Sequence, residues 1–160
     1  MNPERFELNT GISNMKDLMA SDLSPYDAIY LGNPFCQDYE ANFLEELEDL
    51  RAGIRHCRAA GRKVYLTTYA APRNYFLPQI RRAIAVSAEE GVDAVEAHNL
   101  GVVRILHAEF PGLAIHIGGF ANVYTDTGAA VLRDYGAARV TPNYELSLEE
   151  IEGMAENTGL

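Results

Sequence analysis

Polar residues of the kind that do chemistry recur where short apolar runs end. Gly32, Asn33 and Cys36 follow DAIYL. Thr67, Thr68 and Tyr69 end KVYLTTY. Glu96, His98 and Asn99 follow DAV, His116 lies within LAIHI, and Asn143 and Glu145 follow ARVTP. Glu96 and His98 are two residues apart, so in an extended segment both face the same side. With His116 they could form an acid–base cluster or hold a divalent metal. His116 alternates with Ile115 and Ile117, so it is either an inward-facing functional group or a hydrogen-bonded interior residue. Cys36 stands in a loop after Asn33-Pro34-Phe35. Cys57 lies on an apolar helix face and reads as core packing. His56 and His107 fall on helices and read as solvated. The acidic run Glu45, Glu46, Glu48 and Asp49 reads as a solvated helix face.

The elements that would carry these residues alternate. Strands are expected at 5–9, 27–31, 63–69, 93–97, 113–117 and 138–141, each a short apolar or β-branched run. Amphipathic stretches separate them. A short one passes through Met15, Leu18 and Met19, and a long helix over 40–60 sets Phe43, Leu44, Leu47, Leu50, Ile54 and Cys57 along one face. A helix after Pro72 ends at Gly91, and another over 100–110 is broken by Pro111 and Gly112. Thr125 or Asp126 caps the next, and Ser147 with Glu150 forms a capping box for one over 148–156. The joints before three strands repeat the same form, in GRKVYLTTY, GVDAVEAHN and YGAARVTPN. About six βα units predict an α/β fold with a parallel, TIM-barrel-like sheet in one domain spanning 1–160. A full eight-unit barrel takes roughly 250 residues, so 160 residues predict an incomplete one. Parallel βα folds bind ligands at the carboxyl ends of their strands, which selects the polar set above.

The formal net charge is -10 and the sequence pI about 4.8. Such acidity disfavours phosphate backbones and anionic membranes, so no nucleic-acid partner is expected. No apolar run is long enough to span a membrane, and the start shows no secretory signal. Two cysteines make no disulfide framework, and a cytoplasmic location is expected. The sequence contains no HExxH, paired CxxC, GxGxxG, P-loop or nucleophile elbow.

The segments DAIYLG, GRKVYLTTY, GVDAVEAHNLGVVRILHAEFPGLAIHIGGFANVYT and ARVTPNYELSLEEI, in that order, resemble the collagenase-like peptidase family U32, over roughly residues 6–151. The resemblance implies a TIM-type barrel. It also implies either cleavage of collagen-like or denatured protein, or hydroxylation of tRNA or of ubiquinone precursors in which cysteines hold an iron–sulfur cluster. Cys36, in YLGNPFC, matches the place of a cysteine in the ubiquinone branch and is the expected cluster ligand. The family's hallmark cysteine segment lies past the position of Leu160. This chain alone is therefore expected to carry no cluster and to be inactive, as the amino-terminal barrel segment of a hydroxylation-related protein. Asn33, Thr68, Glu96, Asn99, Asn122, Asn143 and Glu145 are the expected substrate-binding residues, with His98 and His116 as metal ligands beside Cys36. The unpaired sheet edges predict a homo-oligomer or a partner subunit. Two other readings stand beside this one, a peptidase and a non-enzymatic ligand-binding or assembly module.

Overall fold

The structure is a computed structural model, and it describes residues 6–35 and 42–160. Six strands form one sheet: β1 (Asn9–Ile12), β2 (Ala28–Gly32), β3 (Lys63–Thr67), β4 (Ala94–Ala97), β5 (Ile115–Ile117) and β6 (Ala137–Val140). Every strand pairs in parallel with its sequence neighbours, in the order β1-β2-β3-β4-β5-β6. Each strand is followed by a helix: α1 (Met15–Ala20), α2 (Leu47–Ala59), α3 (Leu77–Glu90), α4 (Leu100–Glu109), α5 (Asp126–Asp134) and α6 (Leu148–Thr158). This is the expected (β/α) architecture. Among the described residues, no further strand pairs with the outer edges of β1 and β6, so the barrel is not closed.

The two faces of the sheet differ in chemistry because strand side chains alternate. Ile29, Leu31, Val64, Leu66, Val95, Ala97, Ile115 and Ile117 point to the helices. There they pack with Leu50, Ile54, Ile80, Ile84, Val102 and Leu106 in one buried cluster. Burying one such aliphatic side chain contributes about 1.5–3 kcal/mol. The opposite face, the interior of a barrel, carries a small apolar layer of Ala28, Tyr65 and Ala94, with Tyr30 and Ala114 against it.

The helix signals act as read. Gly91 ends α3 in the left-handed region (φ 74°). Thr125 caps α5 by accepting from Gly128 N–H, and Ser147 and Glu150 form the capping box of α6. Cys57 is buried on α2, and His56 and His107 are exposed.

Several boundaries differ from expectation, among them the fifth strand, which starts at Ile115 rather than 113, and the last helix, which runs on to Thr158 rather than 156. The first strand is at Asn9–Ile12 rather than 5–9, because only Ile12 of it is buried and the pattern of an edge strand is weak. The helix expected over 40–60 begins at Leu47, and residues 40–41 lie outside the described ones. Asn42 accepts from Leu44 N–H at 2.9 Å, holding a turn. Phe43 and Leu44 enter the core from that turn and not from the helix. The third strand ends at Thr67, two residues before the expected limit. Thr68 N–H instead donates to the Glu96 carbonyl at 3.0 Å.

Candidate functional site

The interior face has a polar layer above the tyrosines. Strand register sets Gly32 beside Thr67, Thr67 beside Glu96, Glu96 beside His116 and His116 beside Arg139. Glu96 and His98 do face the same side. His98 Nε2 lies 3.1 Å from Glu96 Oε2, and Thr67 Oγ1 donates to that same oxygen at 2.6 Å. Thr67 Oγ1 is also 3.2 Å from His98 Nε2. Burial alone would raise the Glu96 pKa, but the bonds from His98 and Thr67 outweigh it and hold the carboxyl below its ordinary range. An ionised carboxylate only accepts, so Nε2 is the donor of the His98–Glu96 bond. The other ring nitrogen is Nδ1. It is buried without a partner, in a side chain whose residue is 6% exposed.

Gly118 makes room for this imidazole. A Cβ on Gly118 would lie 1.9 Å from His98 Cε1. Its backbone (φ -83°, ψ 160°) is ordinary extended geometry, so space and not conformation requires glycine here. On the outer side, the Phe120 ring packs edge-on against His98, with centroids 5.4 Å apart.

His116 belongs to a deeper group. Its Nδ1 is 3.5 Å from Tyr30 Oη, and its ring meets Tyr65 edge-on at 4.7 Å. Burial, followed by the nearby Arg139 charge, lowers its pKa to about 4, so the imidazole is neutral at ordinary pH. Burial, followed by the Glu96 charge, raises Tyr30 to about 12. Below these residues, Glu7 accepts from Arg139 at 2.8 Å, from Lys63 at 2.8 Å and from Tyr65 at 3.0 Å. Burial works to raise the Glu7 pKa, but these three donors prevail and bring it to about 2.

The expected site residues divide among several places. Glu96 and His98 come together, with Thr67 rather than Thr68 between them. Thr68 Oγ1 donates to the Glu96 carbonyl at 3.0 Å and fastens backbone. The alternation that puts Tyr65 inside also puts Thr67 inside, and that was the available signal. Asn99 is the N-cap of α4, its Oδ1 accepting from Gly101 N–H at 2.8 Å. Asn33 Oδ1 accepts from Phe35 N–H at 2.9 Å, within its own turn. Asn122, Asn143 and Glu145 make a separate loop network with Tyr124. Asn143 Nδ2 is 3.4 Å from Asn122 Oδ1, and Tyr124 Oη donates to Glu145 at 2.7 Å.

The three-residue metal expectation is not carried by this geometry. His98 turns to Glu96 while His116 turns to the tyrosines, and no three His, Cys, Asp or Glu side chains among the described residues are placed to hold a metal ion. Cys36 lies outside the described residues. Glu7, Tyr30, Tyr65 and Arg139 were missed as interior residues; Tyr30 and Tyr65 follow from counting in twos along their strands, whereas a register shift at Ile115/His116 turns Arg139 inward although Ala137 faces the helices.

Chemically, the carboxyl end of the interior offers an ionised carboxylate, an imidazole bonded to it and an aromatic wall. Such a set can hold the polar edge of a flat ligand and move a proton to or from it.

Known proteins of similar sequence and fold match this architecture. The sequence profile of peptidase family U32 matches residues 13–160. The tRNA hydroxylation protein P of Escherichia coli is 30% identical over 146 residues, which is 91% of this chain and 32% of that protein. Its namesake in Helicobacter pylori is 32% identical over 145 residues, 90% of this chain and 34% of that protein. The 23S rRNA 5-hydroxycytidine synthase of Escherichia coli is 26% identical over 133 residues, 82% of this chain and 20% of that protein. The chain thus spans about a third of the length of the tRNA hydroxylation proteins it matches. A solved U32 peptidase superposes with a TM-score of 0.72 at 14% identity, over 98% of this chain and 67% of that one. A muconate cycloisomerase variant superposes with a TM-score of 0.66 at 15% identity, over 96% and 44%, as a TIM-barrel-like fold does. With a profile match over residues 13–160, nearly its whole length, this chain belongs to peptidase family U32.

Proposed function

We propose that this chain is the sheet-forming segment of a protein that takes part in hydroxylating a base of RNA. The observation that carries the reading is the Glu96–His98–Thr67 cluster at the carboxyl ends of β3 and β4, with its buried, unpartnered Nδ1. Relatives named for tRNA hydroxylation and 5-hydroxycytidine synthesis supply the substrate class. They favour a tRNA or rRNA substrate over a ubiquinone precursor. They also weigh against the expectation, drawn from a net charge of -10, that no nucleic acid is bound. Glu96 would accept from the N–H or O–H edge of the base, and the aromatic wall would exclude water from that edge.

The described residues do not fit an iron–sulfur cluster. Cys57 is buried against the core, and burial pushes its thiol up to about 11, so it is not a thiolate. Two cysteines in the chain are too few for a four-cysteine cluster. A cluster in the whole protein would therefore draw on residues beyond this chain, with Cys36 as its one contribution, and this chain would be inactive unaided. The exposed edges of β1 and β6 would be covered by such a further segment, a second copy or a partner subunit.

The test is nucleoside mass spectrometry of tRNA and rRNA from cells lacking the gene. Loss of a hydroxylated pyrimidine is expected, restored by the wild-type gene and not by a Glu96→Gln variant. An unchanged nucleoside profile overturns the reading.

A further inference from the structure

Exposed aromatic side chains are concentrated at one end of the sheet. Among the described residues seven aromatic rings are exposed: Phe6, Phe35, Tyr75, Phe120, Tyr124, Tyr135 and Tyr144. Five of these stand on loops that follow strands. Phe35 comes after β2, Tyr75 between β3 and α3, Phe120 and Tyr124 between β5 and α5, and Tyr144 after β6. Only Phe6, ahead of β1, and Tyr135, at the end of α5, lie elsewhere. Exposing large rings on several separate loops at one mouth is costly in water, and a protein retains such a patch where something covers it.

The rings are also arranged. Phe35 is 71% exposed and Phe120 48% exposed, and they meet edge to face at 5.6 Å. Phe120 in turn packs on His98, which holds Glu96. Arg73 lies over the Tyr75 ring at 5.2 Å. A continuous aromatic path therefore runs from solvent to the carboxylate.

We propose that this aromatic rim is a stacking surface for the unpaired bases of a single-stranded RNA segment, delivering one base to Glu96 and His98. The choice of RNA rests on the function proposed above; the stacking mode rests on the rim. Every base has a π-face, so stacking tolerates sequence and needs unpaired nucleotides. A chain with a net charge of -10 gains little from phosphates, so stacking must supply the affinity. Binding should then depend only weakly on salt, because few counterions are released.

The probes are fluorescent oligouridine and oligocytidine, with a blunt RNA duplex as the paired control, titrated against the 160-residue chain. Single strands are expected to bind more tightly than the duplex. Affinity should change little between about 50 and 200 mM salt. Phe120→Ala and Phe35→Ala should each weaken binding by about ten-fold or more, Phe120→Tyr should restore it, and Phe6→Ala at the opposite end should leave it unchanged. Circular dichroism confirms that each variant is folded.

Absence of binding, equal binding of duplex, a steep loss with salt or indifference to Phe120→Ala would each overturn the proposal. Self-association abolished by the same rim variants, with no RNA bound, would assign the rim to a protein contact. The two readings fail separately. Rim-dependent binding with unchanged cellular nucleosides defeats the hydroxylation reading alone. Lost hydroxylation without rim-dependent binding defeats this one alone.

Discussion

Glu7 and Arg139 are 132 positions apart in sequence, yet the Arg139 guanidinium donates to the Glu7 carboxylate at 2.8 Å. The contact ties the segment entering β1 to β6, the opposite edge of the sheet. Lys63 and Tyr65 of β3, midway between, bind the same carboxylate. Replacing Glu7 with Gln removes the charge that three donors share. We expect a loss of about 2 kcal/mol in urea unfolding, the scale of hydrogen bonds to a charged group. A change within error would show that the tie contributes nothing.

Acid should destabilise the chain in two windows. The folded His116 pKa of about 4 lies below its ordinary 6.5, so the unfolded chain binds more protons between them. Stability therefore falls as pH drops from 6.5 towards 4. Glu7, held at about 2 against an ordinary 4.5, adds stability that is complete above 4.5 and lost as pH falls through 2. Thermal melts across this range check both. In His116→Phe the first fall should flatten while the second remains.

Gly118→Ala should cost about 1–3 kcal/mol, the usual range for overpacking a core, since its Cβ would overlap His98. The backbone there suits alanine, so removing the ring should relieve the clash. The double variant Gly118→Ala with His98→Ala is expected to lose less than the sum of the single losses. Simple additivity, measured by chemical denaturation, would show that the imidazole is not what fills the space.

Cys57 should be inert in the native chain, because burial raises its pKa to about 11 and removes the thiolate that reacts. In a Cys36→Ser background, a disulfide exchange reagent should label nothing until denaturant is added. Rapid native labelling would place Cys57 at the surface.

Much of the fold was legible because its signals are local. Leu50, Ile54 and Cys57 recur at helical spacing, Gly91 adopts the left-handed cap, and Ser147 and Glu150 close a capping box. The turn at Phe43 was not legible, since Phe43 and Leu44 suit a helix face equally well and only the Asn42 side chain diverts the backbone. Within the site, Glu96 and His98 were readable from a spacing of two. Glu7 and Arg139 were not, because nothing near either residue in sequence reveals a partner on the far side of the sheet. Asn99 and Asn33 misled for the converse reason. Polar residues at strand ends serve caps and turns as readily as ligands.

Among the described residues, each strand pairs only with the strand before and after it in sequence. Assembly can therefore proceed one βα unit at a time, each step closing a short loop at small entropic cost. The Glu7–Arg139 bond breaks this rule, joining two units that no chain of local steps brings together until the last strand is in place. It needs both segments in place, and it links the first unit's persistence to the last. A sheet that grows by local additions thereby acquires a cooperative finish, in which fraying at either edge is felt at the other.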